Sequence, residues 1–167
     1  MTRIIFLALG IAVSPVITAG EISSFLGIPL GTSLPGEPLS PPARLGPIPI
    51  YSVRVPVAAP YDKYFHDAQI NVTIENGLVG AVMSERAFPS QKACIEAKDN
   101  LIQLLASVYK IEPDMTGSQG YTFVSPGRHA DVSCVISSGA RHYKLSATAG
   151  DDEVEAQVIK SMEEHER

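Results

Sequence analysis

The chain has 167 residues, of which 45% are hydrophobic and 19% charged, and its formal net charge is −5 at pH 7. An acidic balance with no basic cluster argues against a nucleic-acid partner and mainly favours solubility. The length suits a single domain.

The first element is an export signal. Met1-Thr2-Arg3 is a short positive start, and Ile4 to Ile17 is apolar except for Ser14. Thr18-Ala19-Gly20 then supplies the small residues that signal peptidase requires. The stretch is about 14 residues long and Pro15 interrupts it, whereas crossing the hydrocarbon core takes roughly 20. No cysteine follows the cleavage site and no later apolar run is long enough to span. The expectation is residues 1–20 as a cleaved signal, no stable membrane insertion afterwards, and a periplasmic or secreted product. Losing Arg3 leaves 12 Lys and Arg against 18 Asp and Glu, a net charge of −6. The remaining cysteines, Cys94 and Cys134, meet an oxidising compartment, which favours one disulfide.

Residues 29 to 60 hold nine of the thirteen prolines, so this part is neither helix nor central strand. Residues 21–60 therefore read as a Pro-rich extended arm plus an edge strand, ahead of a single α+β domain over 61–167. The arm's Phe25, Leu26, Ile28, Leu30 and Leu34 point to partial docking on that domain. Val53, Val55 and Val57 alternate along the strand, and Pro56 assigns it to an edge.

Ile70, Val72 and Ile74 alternate as a half-buried strand, followed by Asn76-Gly77, the pair that a type I′ hairpin favours. A two-residue turn there pairs Ile74 with Val79, Val72 with Ala81 and Ile70 with Met83. Pro89-Ser90 stops the second strand and caps a helix to about Lys110. Its inward stripe is Cys94, Ala97, Leu101, Leu104, Leu105 and Val108. Tyr121 to Ser125 and Ala130 to Ser137 form a second hairpin around Pro126-Gly127, with Val132, Cys134 and Ile136 inward. Cys94 and Cys134 thus lie on facing buried surfaces, within reach of a helix-to-sheet bridge. A strand from Tyr143 to Ala149 and a helix with buried Val154, Val158 and Met162 complete the chain. The predicted fold is α+β: a mostly antiparallel sheet, ββ(β)α repeated, with helices on one face.

Chemistry-bearing motifs are weak. His129 and Asp131 share a strand face, but His142 lies about eight residues away along the hairpin, roughly 26 Å at strand rise. One metal ion needs its ligands at about 2 Å, so no metal site is assigned. His66 and His165 stand alone. Ser107-Val108-Tyr109-Lys110 matches the S-x-x-K string of serine acyl enzymes but ends a helix and lacks companion motifs. Gly31 to Gly36 fails the nucleophile-elbow spacing. Asp151-Asp152-Glu153 and Glu163-Glu164 fit helix ends, Asp62 and Asp67 fall in a loop, and no phosphate loop appears. Asn71-Val72-Thr73 is a glycosylation sequon inside a strand. No catalytic residue and no cofactor are assigned.

One loop exceeds background. Tyr61-Asp62-Lys63-Tyr64-Phe65-His66-Asp67 gathers three aromatics among charges, the composition of a contact surface; the competing reading is that its rings plug the core. Together with Arg141, His142 and Tyr143 it supplies the candidate binding residues Tyr61, Tyr64, Phe65 and His66.

The layout resembles a class of uncharacterised small exported bacterial proteins. It shares Phe25-Leu26-Gly27-Ile28-Pro29-Leu30-Gly31, Asn76-Gly77-Leu78-Val79 in a hairpin, and a cysteine-bearing helix from Cys94 to Tyr109. That resemblance implies a periplasmic address and carries no site residues. Ser138-Gly139-Ala140-Arg141-His142-Tyr143 is similar to the S-G-A-x-Y loop of periplasmic C-type lysozyme inhibitors, with the tyrosine one residue later. Those inhibitors are all-β, whereas a long helix precedes this loop. The functional expectation is a non-catalytic binding protein of the envelope, an inhibitor or immunity-type partner of another envelope or extracellular protein. The alternatives are a small envelope hydrolase and a structural subunit of an envelope assembly.

Overall fold

The computed structural model describes residues 20–34, 39, 41–44, 50–117, 120–136 and 142–165. The predicted signal at residues 1–19, much of the Pro-rich segment and Arg141 lie outside them. The fold is α+β, built on an antiparallel sheet of eight strands with two helices. In chain order the strands outside it are β1 (Ser24–Phe25) and β2 (Ile28–Pro29), which pair with each other. Those inside it are β3 (Ala43–Arg44), β4 (Ile50–Pro56), β5 (Asp67–Thr73), β6 (Val79–Phe88), β7 (Asp114–Thr116), β8 (Gly120–Ser125), β9 (Arg128–Ile136) and β10 (Tyr143–Asp151). Helix α1 (Gln91–Tyr109) follows β6, and α2 (Asp152–His165) follows β10. Spatially the sheet runs β3-β4-β5-β6-β10-β9-β8-β7, so β10 inserts between the two halves.

Local chemistry accounts for the elements. Ser90 caps α1, its Oγ accepting from the Ala93 N–H at 3.2 Å, and Lys110 ends it in the left-handed region at φ 58°. The stripe Cys94, Leu101 and Leu105 is fully buried, but Val108 is half exposed and Tyr109 takes the inward position instead. Ser125 pairs with Arg128 across Pro126-Gly127, and Gly127 has φ 71°, as the third residue of a type II turn requires. Val132 and Cys134 face α1, and the bridge to Cys94 forms with Cα atoms 6.0 Å apart. Ile136, expected inward, is 65% exposed, because α1 starts at Gln91 and does not extend over the end of β9.

The first hairpin departs from the sequence expectation. Its loop runs from Ile74 to Gly77, held by Thr73, whose N–H donates to the Leu78 carbonyl and whose Oγ1 accepts from the Leu78 N–H. The register is Ile70 with Val82, Asn71 with Ala81 and Val72 with Val79, leaving Gly80 as the extra residue of a bulge. A one-residue slip sends every side chain to the other face. Val79, before the bulge, keeps its expected inward position; beyond it Val82 is buried while Ala81 and Met83 move to the opposite face, and Ile74 is exposed.

The bulge also decides where α2 sits. Helix α1 covers the face of Ile70, Val82, Cys134 and Leu145. Helix α2 turns at Asp151, and its Val154, Val158 and Met162 line a groove with Asn71 and Ala81, which face the other way. Only α1 thus takes the position expected of both helices.

The beginning of the arm is core. Leu26 and Gly27, at φ 51° and 81°, form the tight turn between β1 and β2, and Ile22, Phe25, Leu26, Ile28 and Leu30 are buried at 4% exposure or less. The Ile22 N–H donates to Ser125 Oγ, and the Tyr109 hydroxyl donates to the Ser24 carbonyl at 2.9 Å. Beyond it, Gly31 and Thr32 exchange backbone hydrogen bonds with Val79. Arg128 fastens this segment to the sheet. Its Nε donates to Asp151 Oδ2 at 2.9 Å, while its terminal nitrogens donate to the Ile22 carbonyl at 3.1 Å and the Leu30 carbonyl at 3.3 Å. Gly31 is required beside this pair: a Cβ there would stand 2.7 Å from Asp151 Oδ2. Asp151 also caps α2 through the Val154 N–H at 3.1 Å.

Arg128→Met should therefore leave the Asp151 carboxylate buried without its cation and two carbonyls without donors. The expected loss is about 2–3 kcal/mol, below the range for a fully buried pair because the Arg128 side chain keeps 21% of its exposure. Urea unfolding measures it, and a loss under about 0.5 kcal/mol would show that the clamp contributes nothing.

Candidate functional site

The loop from Tyr61 to His66 is held by its own backbone. The Tyr64 and Phe65 N–H groups donate to the Tyr61 carbonyl, and Val57 N–H donates to the His66 carbonyl. The turn points the rings inward: Phe65 is fully buried, Tyr64 is 6% exposed and Tyr61 8%, while His66 is exposed. The rings thus serve as core, and the loop's solvent face is carried by Asp62, Lys63 and His66. Burial raises the Tyr61 hydroxyl pKa above its ordinary value. Tyr109 is raised further, first by burial and then by the neighbouring Tyr61. Both phenols therefore stay neutral at physiological pH.

Of the second candidate loop only His142 and Tyr143 are described, and Tyr143 lies at the same end of the sheet. Tyr143 lies opposite Phe88 in the β6–β10 ladder, and Arg86, two residues earlier, lies opposite Leu145. Arg86 in turn donates to the Lys63 carbonyl at 2.6 Å and, more weakly, to the Tyr64 carbonyl at 3.4 Å. Strand β6 thereby joins the aromatic loop to Tyr143. Tyr143 is half buried and His142 exposed.

Beside this junction runs a trough of about 740 Å³ between the aromatic loop and α1. Lys63, Tyr64, Arg86 and Phe88 form one wall; Ala93, Glu96, Ala97, Asn100, Gln103 and Leu104 of α1 form the other. The Lys63 ammonium stands 4.9 Å from the Tyr64 ring centre, and the Arg86 guanidinium 5.3 Å from that of Phe88. Each cation is thus held over an aromatic face, which keeps its charge at the wall. Opposite them Glu96 is acidic, while Asn100 and Gln103 carry both donors and acceptors. A trough with small residues on its helical wall and mixed polar edges can hold an extended chain or a loop.

Most trough residues escaped the sequence reading. The available signal was Glu96, Asn100 and Gln103 at 4 and 3 spacing beside the small Ala93 and Ala97. What identifies them as one wall is the loop packed against them, which spacing alone does not reveal.

His129 and His142 occupy opposite ends of the β9–β10 hairpin, since Gly150 faces His129 and Ile136 faces Tyr143. His129 Nδ1 instead lies 3.1 Å from Asp152 Oδ1 at the start of α2. Among the described residues no group of three or more His, Cys, Asp or Glu converges as metal ligands would. No described helix is long and apolar enough to cross a membrane. Asn71 of the sequon points beneath α2, with its Oδ1 closed to solvent. No known protein family, curated protein or solved structure matches the chain.

Proposed function

We propose that this chain is an exported, non-catalytic binding protein that holds a segment of another envelope or extracellular protein along the trough beside α1. The observation that carries the reading is the meeting of Tyr143 and the aromatic loop at one end of β6, where Arg86 and Phe88 join them to the helical wall. The N-terminal signal pattern and the Cys94–Cys134 bridge support an oxidising address. The trough's edges offer two cations, one carboxylate and two amides, which favours a partner segment of mixed polarity over a purely apolar one.

Capture tests the reading. The exported chain, disulfide formed, is immobilised and exposed to envelope extract of its source organism, beside the variant Glu96→Arg/Asn100→Trp. Both substituted side chains are solvent-exposed, so the fold should persist. The expected result is one salt-resistant protein retained by the wild type and reduced at least tenfold by the variant. Retention unaffected by the variant would remove the trough as the binding surface, and retention of nothing would count against the binding reading itself.

A further inference from the structure

The opposite face of the sheet carries a second, smaller groove of about 300 Å³ beneath α2. Its walls are apolar, formed by Ile50, Ala81, Val154, Val158, Ile159 and Met162. Gly80 allows the helix to sit this close, since a Cβ there would stand 2.9 Å from Val154 Cγ1. At the mouth Ile159 of α2 is 59% exposed, an apolar side chain facing water.

One polar atom in this groove has no partner. Thr73, also in the lining, spends its hydroxyl on Asn76 and the Leu78 N–H. Asn71 Oδ1 is closed to solvent and accepts no hydrogen bond, and it is the only such side-chain atom among the described residues. Its neighbours Ile70 and Val72 point into the main core, so alternation directs Asn71 beneath α2. An apolar cleft with a single unmet acceptor has the make-up of a small-molecule site. An unmet buried acceptor is costly, and a ligand bringing a donor would relieve that cost.

We infer that the groove beneath α2 binds a small apolar alcohol or amine, whose O–H or N–H donates to Asn71 Oδ1 while its hydrocarbon part lies among Val158, Ile159 and Met162. The exposed Glu155 at the rim sets the charge preference. A carboxylate would meet that acid and would offer Asn71 Oδ1 no donor, so fatty acids are disfavoured on both counts. Because Oδ1 is closed to solvent, side chains lining the groove must shift as the donor arrives. The site is separate from the trough beside α1, and its failure would leave the reading of that trough untouched.

The test is titration of the purified, disulfide-bonded chain with octan-1-ol, octylamine and octanoate, each followed by calorimetry and thermal unfolding. The alcohol and the amine should bind and raise the Tm, with octanoate at least tenfold weaker. Asn71→Leu should weaken the alcohol at least tenfold without lowering the unliganded Tm. Val158→Trp fills the groove from the half-buried side of α2 and should abolish binding of all three, which keeps the test decisive if Asn71→Leu does not fold. Absence of binding by both alcohol and amine overturns the inference. So does octanoate binding as tightly as octanol, or wild-type affinity in a folded Asn71→Leu or Val158→Trp variant.

Discussion

Replacing both bridge cysteines, Cys94→Ala with Cys134→Ala, should cost about 4 kcal/mol of unfolding free energy. The two positions are 40 residues apart in sequence, and in the chain-entropy picture closing a loop of that size restricts the unfolded chain by this amount. Both side chains are fully buried between α1 and β9, so the substitution also loses packing where the first turn of the helix meets the sheet. Urea unfolding of wild type and variant measures the loss. The variant should also show a steeper dependence on urea, because its unfolded chain expands further. Reduction of the wild type should approach the same midpoint. A loss of 1 kcal/mol or less would mean that the unfolded chain is already compact around this pair.

Phe25→Ala should be of comparable size, about 3–5 kcal/mol, the usual range for deleting a buried phenyl ring. Phe25 is fully buried, although it lies only a few residues beyond the predicted signal cleavage site in a stretch that reads as an arm. It belongs to the core cluster that also holds Tyr61, Phe65, Leu101, Leu105, Tyr109 and Phe123, so a cavity here opens within the main core. Tyr109 meets Phe123 edge to face at 5.6 Å, and the Tyr109 hydroxyl is satisfied only by the Ser24 carbonyl of the same segment. Thermal or urea unfolding reads the effect, and Phe25→Leu should recover most of it by refilling the volume. A change below 1 kcal/mol would show that the β1–β2 segment contributes little to the core and can leave it cheaply.

Much of this protein follows from its residues in order. Ser90 and the run of apolar positions behind it specify α1, because capping and 3.6-residue periodicity act within a few residues of each other. Pro126-Gly127 specifies the β8–β9 turn for the same local reason, and the alternation on either side puts Cys134 on the buried face. The α+β class and the disulfide were therefore legible before any coordinates. The candidate loops were legible too, since three aromatics in one short loop stand out. Their roles were not, because composition cannot say which way a ring points.

Tertiary structure decided the rest, wherever the sequence offered two apolar alternatives of similar quality. Val79, Ala81, Val82 and Met83 can supply an inward face in either register, and only packing against α1 and α2 selects the one with the bulge at Gly80. The segment from Ile22 to Leu30 has few residues for its own core, so its burial depends on distant partners: Ser125, Arg128 and Tyr109. Both grooves arise the same way. Glu96 and Lys63, or Asn71 and Val158, become neighbours only when the folded sheet brings their elements together, a long-range condition that no local spacing encodes.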